Sequence, residues 1–555
     1  MNSIHKILLC TLLTFISYAA QSLTYIENVK GYTLNQHGKL VTFKNIAFED
    51  DFIVGINLPQ APKGITNKID GNGKVMLPGL IDAHGHILGL GQNLLEVDLR
   101  GSSSEDEAVK RILAFVSQHE ADSTKDDKSQ WIIGDGWNQV LWPSKEFPSK
   151  ASLDAVIKNR PVVLSRVDGH AVWVNSVALE LAGIDANTPS PSGGEIVKDE
   201  NGQPTGLLID NAEDLVTRLI PKPNLEQLSL QLDTATDHLL ALGITSAHDA
   251  GISKQVYDFY QQQAASGKLR MRVYAMLSAV DPQIDAMLAT GHIRTEDDML
   301  SIRSVKAYGD GALGSRGAAL IEPYSDDKDN HGLLVTPQEE LPNLFNKVLG
   351  ANFQLNFHAI GDRANRLALQ HFASTFKTFP ENTERHRIEH AQVIAVEDIP
   401  LFKTLGVIPS MQPTHATSDM NMAEDRIGKA RLKGAYAWRT FLEQGSRIAF
   451  GSDFPVELAN AFHGLHAAVT RQNANMQPKT GWIPEEKVSR QEALRGFTLD
   501  AAYAAFQDDK IGTLEVGKRA DFIFVDRDIF EVPASDIRDT QVLETWINGK
   551  QVFSL

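Results

Sequence analysis

Two histidines one residue apart, His84 and His86, close an apolar run that reads LIDAHGH over residues 80–86. In a β-strand, side chains at positions i and i+2 project from the same face. Both imidazoles would therefore point in one direction at the carboxyl end of a buried strand. This arrangement suits a divalent metal held by nitrogen ligands, although such pairs of histidines also arise by chance.

Three later segments repeat the pattern of a short apolar run that ends in a side chain able to bind metal. They are LNFHAI with His358, RIEHA with His390, and IAFGSD with Asp453. One histidine alone is more often packed in a core than bound to a metal. Four histidines at equivalent strand ends are hard to explain by packing, so the pattern predicts a metal-dependent hydrolase.

These side chains form two sets of candidate metal ligands. His84, His86 and Asp453 provide three ligands for one divalent ion. His358 and His390 either bind a second ion or complete the first site. Asp453 is also expected to accept a proton from the water that attacks a substrate carbonyl, and to return it to the departing amine.

Lys306 lies in a further run of this kind, SVKAYGD, which begins at Ser304. An ammonium ion beside cationic metals is repelled, so a lysine that faces such a site must be neutral, turned away or modified. The alternative is a lysine paired with Asp310 beside a simpler site with one metal. The residues alone leave both alternatives open.

The elements that must position these residues can be counted. Helical patterns such as EQLSLQLDTATDHLLAL separate most of the buried strands, and alternating strands and helices are typical of an α/β fold with a (β/α)8 barrel. Active-site residues of such barrels lie at the carboxyl ends of the strands. Eight runs qualify as buried parallel strands: LIDAHGH, GITSAHDA, MRVYAML, SVKAYGD, QLNFHAI, HRIEHA, GVIPSMQ and RIAFGSD.

Further segments lie around this barrel, which is predicted over residues 79–507. Residues 23–78 and 508–555 are β-rich and alternating, and they predict one small composite β-sandwich made from both ends of the chain. A self-standing N-terminal domain is the alternative. Residues 100–235 separate the first two strands and predict a subdomain inserted over the barrel mouth.

After the barrel, Ser489 and Glu492 form a capping box that predicts the start of a helix.

The composition excludes several classes of partner and ligand. The 555 residues include 53 Lys+Arg and 70 Asp+Glu, a formal net charge of −17, which argues against nucleic acid or an anionic membrane surface as a partner. The single cysteine, Cys10, lies in the N-terminal apolar run. Without that run the mature chain has no disulfide and no thiolate ligand, so a metal must be bound by histidine, carboxylate or a less usual group.

Residues 1–22 are expected to be a secretory signal peptide. Lys6 precedes the apolar stretch ILLCTLLTFIS, and small residues follow at Ala19 and Ala20. The stretch is shorter than the roughly 20 residues that span a bilayer; an uncleaved anchor is the alternative. Cleavage near residues 19–23 predicts an exported protein, periplasmic in a Gram-negative bacterium, without stable membrane insertion afterwards.

The order of the ligand residues resembles that of the amidohydrolase superfamily: H-x-H on the first strand, lysine on the fourth, histidines on the fifth and sixth, and aspartate on the eighth. The motifs VKAYGDGALGSRGAAL, FHAIGDRAN, RIEHAQ, SMQPTHATSDM, GAYAWR and GSDFPVE resemble its amidohydrolase-3 branch, which includes enzymes similar to N-substituted formamide deformylase. The resemblance covers essentially the whole mature chain, including SRVDGHAVWVNS in the insert, with no departure at the ligand positions.

This resemblance implies a divalent metal cofactor, expected to be zinc, as one ion or two. In the family, the lysine of the fourth strand can react with carbon dioxide to give a carbamate whose two oxygens bridge two metals, and Lys306 occupies that position. The implied ligand set is His84, His86, Lys306, His358, His390 and Asp453.

Six further residues lie in loop-like motifs after strands or in the insert, and we expect them to shape the substrate pocket. Arg316 is a candidate for holding a substrate carboxylate or carbonyl, with a structural role as its alternative. His170 has a turn-stabilising role as its alternative. His248, at the end of the second strand, either supports the site from behind or is packed beside it. The six are Trp137, His170, Asp310, Arg316, Gln412 and His415.

The leading prediction is a metal-dependent hydrolase that cleaves a non-peptide carbon–nitrogen bond in an amide, an N-substituted formamide or a cyclic amide. The same attack serves an ester or lactone carbonyl, which is the second hypothesis. A catalytically silent barrel that binds a small molecule is the third, but this chain keeps all six candidate ligands. The natural substrate and the formation of a homo-oligomer are left open.

Overall fold

The computed structural model describes residues 22–119, 131–166, 171–191, 194–383 and 385–555. The expected signal peptide therefore lies outside the described residues apart from its last position, and so does His170. Within these ranges, no helix combines the length and the apolar character needed to cross a membrane.

Eight parallel strands form the central sheet, and each overlaps one of the eight runs expected from the sequence. Strands that follow one another along the chain are neighbours in the sheet, and a parallel bridge between Gly85 and Phe454 returns the last strand to the first. The predicted (β/α)8 barrel is thus confirmed. In chain order the strands are β1 Leu80–Gly85, β2 Ile244–Ile252, β3 Arg272–Ser278, β4 Leu300–Tyr308, β5 Gln354–Ala359, β6 Arg387–His390, β7 Ile408–Met411 and β8 Ala449–Phe450.

Helices connect the barrel strands and cover the sheet with their apolar residues. In the helix Leu225–Ala241, the buried Leu228, Leu232 and Leu239 recur at helical spacing. The capping box predicted at Ser489 is present, and it opens the helix Arg490–Gly496. The other principal helices are Ile87–Leu94, Lys254–Ala265, Ile284–Ala289, Leu341–Gly350, Asp362–Thr378, Ile399–Leu405, Pro413–Asp419, Ala423–Arg431, Trp438–Glu443, Ala461–Thr470 and Leu499–Ala504.

A buried carboxylate ties the first barrel strand to the last. The Asp82 side chain accepts hydrogen bonds from the backbone N–H of His84 at 3.1 Å, and from the N–H and hydroxyl of Ser452 at 3.0 and 2.6 Å. Gly451 allows this close approach, because a Cβ at that position would lie 2.6 Å from the His84 nitrogen. The H-x-H pair and the G-S-D turn are thereby held side by side.

The two ends of the chain meet in a pair of β-sheets beside the barrel. Phe48 of the four-stranded sheet packs against Phe522 and Trp546 of the six-stranded sheet, with ring centroids 5.9 and 6.4 Å apart. The four strands are Leu23–Glu27, Ile46–Glu49, Phe52–Ile56 and Asn67–Asp70; the six are Lys30–Leu34, Leu40–Phe43, Val75–Pro78, Phe522–Val525, Val542–Ile547 and Lys550–Ser554.

The segment between β1 and β2 has its own sheet and its own core. Its helices include Glu105–His119, Lys150–Val156, Ser176–Ala182 and Asp214–Thr217. Three tryptophans, Trp137, Trp142 and Trp173, are buried in one of its hydrophobic clusters. Its strands are Val97–Asp98, Ile132–Trp137, Val162–Arg166, Ala171–Val174, Gly194–Lys198 and Pro204–Asp210. The strand Val162–Arg166 thus belongs to this sheet and not to the barrel.

Candidate metal centre

The carboxylate of Asp453 lies at the centre of a cluster of histidines at the carboxyl ends of the barrel strands. Its Oδ1 is 3.6 Å from His84 Nε2 and 3.3 Å from His86 Nε2. Its Oδ2 is 3.7 Å from His415 Nε2 and 4.0 Å from His390 Nδ1. The Asp453 side chain is 10% exposed and that of His86 is 35% exposed, so the cluster is largely buried and meets solvent on the side of His86.

The two distances from Asp453 Oδ1 fit ligands that surround a common ion. Nitrogen and oxygen ligands at about 2.0–2.2 Å from a tetrahedral ion are roughly 3.3–3.6 Å from one another. Among the described residues two groups of three have ligand atoms within 4.8 Å of one another: His84, His86 and Asp453 form one, and His390, His415 and Asp453 form the other. Asp453 belongs to both groups.

Two buried nitrogen atoms add to the fit. The Nε2 atoms of His358 and His415 have no hydrogen-bond partner within the described part of the chain. A buried polar atom without a partner costs about 1–3 kcal/mol, and a lone pair given to a metal removes that cost. The residues present therefore fit a divalent metal.

His84 is oriented by a charged layer beneath it. Its Nδ1 is 2.5 Å from Glu389 Oε2, and its Nε2 is 3.0 Å from Lys306 Nζ. Because the Glu389 carboxylate accepts a hydrogen bond from Nδ1–H, the lone pair of a neutral His84 is on Nε2, the atom that faces Asp453. Fixing the tautomer of a ligand histidine through its other nitrogen is a general feature of metal sites.

The layer continues through Arg387, which is fully buried. Its Nε is 2.7 Å from Glu389 Oε1, and its guanidinium also donates to the Ser410 hydroxyl and to His248 Nδ1 at 2.8 and 3.0 Å. Burial by itself would raise the pKa of Glu389, but Arg387 and His84 outweigh it and hold the pKa well below its usual value. Glu389 therefore stays ionised beneath the metal centre.

Gln412, which follows β7, orients His390. The Nδ1 atom of His390 is 2.9 Å from Gln412 Oε1, so a neutral His390 that donates this hydrogen bond keeps its lone pair on Nε2. The backbones of His390 and Asp453 are both left-handed, with φ of 73° and 62°. Such conformations cost energy in residues other than glycine and cluster at functional sites.

The imidazoles of His84, His358 and His390 are neutral at physiological pH. Burial, followed by the charge of Lys306, lowers the pKa of His84 to about 4 and that of His358 to about 3. Burial also lowers the pKa of His390 well below its usual value. Metal-binding histidines must be neutral, so the site is prepared for a cation before one arrives.

Lys306 is buried in the same cluster. Its Nζ contacts His84 Nε2 at 3.0 Å and lies 5.2 Å from the ring centroid of Tyr308. Burial lowers the pKa of its ammonium group to about 8. The lysine thus faces the site, and its polar contact is His84; the Asp310 carboxylate, the partner in the alternative considered above, accepts hydrogen bonds from backbone groups.

Asp310 organises the loop that follows β4. Its carboxylate accepts hydrogen bonds from the backbone N–H groups of Ala319, Ile360 and Gly361 at 2.8–2.9 Å, and its Oδ1 is 3.6 Å from His358 Nε2. Asp310 is therefore adjacent to one of the predicted metal ligands, and it holds the end of β5 in place.

The other predicted pocket residues are dispersed. The Arg316 guanidinium is paired with Asp326 at 2.9 Å and is one-third exposed. The Trp137 indole N–H donates to the Leu164 carbonyl at 2.7 Å inside the core of the insert. Gln412 contacts His390, whereas His415, predicted as a pocket residue, lies among the candidate ligands. His170 is outside the described residues.

Three site residues were missed in the sequence, Arg387, Glu389 and Asp82. All three lie in the motifs that supplied the ligands, RIEHA and LIDAHGH. The signal was the alternation of charged residues in strands that are otherwise apolar: Arg387 and Glu389 are two residues apart and thus share a face of β6. Their mutual neutralisation inside the barrel depends on the fold.

The chain is similar to known proteins over most of its length. Residues 68–553 match the family model described as the amidohydrolase family. The chain is 34% identical over 503 residues to the protein LONG AFTER FAR-RED 3 of Arabidopsis thaliana, covering 88% of this chain and 84% of the relative. It is 26% identical over 495 residues to N-substituted formamide deformylase of Arthrobacter pascens, covering 87% and 89%.

A solved structure is similar as well. An uncharacterized metal-dependent hydrolase of Pyrococcus horikoshii superposes with a TM-score of 0.77 at 27% sequence identity, and the match covers 92% of this chain and 99% of that chain.

Proposed function

The chain belongs to the amidohydrolase family, and we propose that it hydrolyses a carbon–nitrogen bond other than a peptide bond in a small molecule. The candidate bonds are those of an N-substituted formamide, another amide or a cyclic amide. The observation that carries the proposal is the Asp453 carboxylate with the Nε2 atoms of His84, His86 and His415 at 3.3–3.7 Å. The similarity to N-substituted formamide deformylase supports the choice of bond.

The cofactor in this proposal is a divalent metal ion, zinc in the first instance. An ion held by these residues polarises a carbonyl group and activates water for attack on it. Neutral histidine and carboxylate ligands are those that zinc prefers, and no cysteine is needed. Glu389 and Gln412 keep the histidines in the required orientation, through contacts of 2.5 and 2.9 Å.

Asp453 is the proposed proton carrier. Burial would raise the pKa of its carboxyl group, but His84 and His86 outweigh burial and hold the pKa well below its usual value. The group is therefore ionised and able to accept a proton from the attacking water at one oxygen. It then gives that proton to the nitrogen of the departing amine, so the group ends the cycle as it began.

Lys306 is proposed to carry a carbamate in the active protein. Burial lowers its pKa to about 8, so more of the amine is neutral at physiological pH than for an exposed lysine. A neutral amine adds to carbon dioxide with formation of a C–N bond and loss of one proton. Protein labelled with ¹³C-bicarbonate should show a carbamate carbon resonance that K306Q lacks.

A substrate panel tests the reaction. Metal-loaded protein is assayed with N-formyl amines, N-acyl amino acids, hydantoins and lactones, and D453N is the inactive control. We expect turnover of at least one C–N substrate that D453N does not share. Turnover of lactones alone would replace the proposal with an ester hydrolase, and metal-loaded protein inactive on all four classes would favour a binding protein.

Metal analysis tests the cofactor and counts the ions. H86N removes a ligand from the first group and H415N removes one from the second, while H331N changes an exposed histidine outside both. If each group binds its own ion, the wild type holds two per chain and both site variants lose one. One ion in the wild type indicates a single shared site. Wild-type protein without bound metal would contradict the proposal.

Export to the periplasm is a further proposal, supported by the basic, apolar and small-residue order of residues 1–22. Sequencing the N-terminus of the native protein tests it. A mature start near residues 19–23 is expected, and an intact Met1 on cytosolic material would refute export.

A further inference from the structure

His86 differs from the other candidate ligands in how its imidazole ring is oriented. The second ring nitrogen of His84 contacts Glu389, and that of His390 contacts Gln412. The Nδ1 atom of His86 has no such partner among the described residues, and the side chain is 35% exposed. The position of this ring therefore depends on how the backbone of His86 is held.

The backbone of His86 is held on both sides. Its own N–H donates to the Phe454 carbonyl at 2.8 Å. The next N–H along the chain, that of Ile87, donates to Asp249 Oδ1, also at 2.8 Å. Phe454 follows β8 and Asp249 belongs to β2, so the two peptide groups that flank His86 are tied to the two neighbours of β1 in the barrel.

The carboxylate of Asp249 is itself fixed. The residue is 4% exposed, and its Oδ2 accepts a hydrogen bond from the Tyr260 hydroxyl at 2.6 Å. Tyr260 is fully buried in the helix Lys254–Ala265. In the sheet, Asp249 is the register partner of Gly85, the residue before His86. Because each oxygen has its own donor, the carboxylate cannot turn without breaking a buried hydrogen bond.

Another barrel helix shows how an ordinary helix cap is built in this protein. At the start of the helix Lys254–Ala265, the Asp281 carboxylate accepts the N–H of Lys254 at 2.9 Å. The N-cap residue is Ser253, whose side chain accepts a hydrogen bond from the N–H of Val256. This helix is therefore capped by a carboxylate from a neighbouring loop and by its own N-cap residue together.

The helix Ile87–Leu94 has the first kind of cap without the second. Its N-cap residue is His86, whose side chain makes no capping hydrogen bond. Asp249 accepts the first N–H of the helix, and the ring of His86 faces Asp453 instead, with Nε2 3.3 Å from Oδ1. The cap supplied by β2 thus leaves the N-cap side chain available for a metal.

We propose that Asp249 is a positioning residue for the metal ligand His86. It accepts the Ile87 N–H where the N-cap side chain of a helix commonly serves, and it thereby sets the backbone from which the imidazole reaches the ion. Tyr260 keeps the carboxylate in the required orientation. This inference rests on the proposed metal site and adds to it a residue that contacts neither the ion nor the substrate.

Zinc binding by the full-length protein tests the role of the Ile87 N–H. The affinity is measured by competition with a chelator, and the zinc content per chain is counted. I87P removes the N–H and keeps the Asp249 carboxylate, and proline is tolerated at the first position of a helix. It should weaken zinc binding about 10–100-fold. I87A, the matched control, also loses the buried side chain but keeps the N–H, and its affinity should stay within about threefold of the wild type.

Variants of the carboxylate separate positioning from capping. D249S has no acceptor long enough to reach the Ile87 N–H and should weaken zinc binding about as much as I87P. D249N keeps an amide oxygen for that N–H and should recover most of the zinc affinity. D281S removes the comparable cap of the helix Lys254–Ala265. It should lower the melting temperature of the metal-free protein and leave zinc binding unchanged.

The competing explanations predict different results. If D249N weakened zinc binding as much as D249S while I87P did not, the charge of Asp249 would act on His86, and the proposal would be overturned. Zinc affinities of I87P and D249S equal to that of the wild type would reduce Asp249 to a helix cap like Asp281. Wild-type protein that binds no zinc would refute the proposed metal site together with this inference, whereas unchanged variants of a zinc-binding wild type would refute this inference alone.

Discussion

The two ends of the barrel bury charged groups in different ways. At the amino end, Arg272 begins β3 and pairs with Asp521 of the β domain through two contacts of 2.6 and 3.0 Å. Its third nitrogen donates to the Asp297 carbonyl at 2.8 Å. At the carboxyl end, the Nε2 atoms of His358 and His415 are buried without a hydrogen-bond partner in the described residues.

The difference shows which end is built for stability and which for binding. At the amino end, the buried pair of Arg272 and Asp521 is satisfied and joins the barrel to the sheet that holds both ends of the chain. Polar groups at the carboxyl end keep lone pairs free and adopt strained backbone conformations at His390 and Asp453. Buried lone pairs without a hydrogen-bond partner destabilise the fold unless a ligand binds to them. The carboxyl end of the barrel is therefore the end suited to binding.

The largest expected effect is that of D453N at the carboxyl end. An amide fills the space of the carboxylate but accepts no proton, so kcat should fall about 10²–10⁴-fold, with a smaller change in KM. Steady-state kinetics on the best substrate of the panel measure this, together with metal content and melting temperature. A variant with full metal and near-normal kcat at neutral pH would show that His390 or His248 is the better candidate.

The counterpart at the amino end is D521N. Arg272 is fully buried, and removing the charge of its partner should lower the free energy of unfolding by about 3–5 kcal/mol. Urea denaturation measures the loss. D526N, which breaks the exposed pair with Arg527, is the matched control and should cost less than about 1 kcal/mol. Metal content of folded D521N should equal that of the wild type; a loss of metal would contradict the division between the two ends.

E389Q tests the layer beneath the metal centre. Glutamine keeps the shape but loses the charge that holds His84 Nδ1–H, and changing a group behind a ligand typically weakens metal affinity about 10–100-fold. Competition with a chelator of known affinity measures the change. If E389Q binds metal as tightly as the wild type while D521N does not, the comparison of the two ends is reversed.

The smallest expected effect is a dependence of stability on acid at the amino end. Burial would raise the pKa of Asp298, but hydrogen bonds from Arg519 and Arg294 outweigh it and lower the pKa below the usual 3.8. Because the pKa in the folded state is the lower one, this contribution is present above about pH 4 and is lost as the pH falls through the folded value.

D298N isolates that contribution. The variant should have a lower melting temperature than the wild type at pH 7. The difference between the two melting temperatures should become smaller between pH 4 and pH 3. Melting curves of metal-free wild type and metal-free D298N at each pH give this difference in melting temperature. The histidine cluster titrates in both proteins, so its effect cancels when the two are subtracted. A difference that stays constant down to pH 3 would exclude a stabilising ionised Asp298.

Much of the barrel and its cluster was predictable from the sequence because the signals are local. Apolar runs at regular intervals mark buried strands, and a polar residue at the end of each run marks the carboxyl edge. His84, His86, His390 and Asp453 were predictable in this way, and the structure brings them together. The capping box at Ser489 was predictable for the same reason, since it depends on residues three apart.

Loop residues were less predictable. Trp137 and Arg316 are residues of kinds that often bind substrates. In the structure, however, Trp137 is buried in the core of the insert and Arg316 pairs with Asp326. The group that His415 joins depends on the orientation of the helix Pro413–Asp419, which packs against the segment after β8. No local pattern encodes that orientation.

The sequence by itself determined the eight strands, the order of the ligands along them, and a chemistry limited to histidine, carboxylate and lysine. Tertiary structure alone decided which nitrogen of His84 faces the site, because Glu389 and Arg387 must first be neutralised inside the closed barrel. The physical reason is that the cost of a buried charge depends on partners that only the folded chain brings within reach.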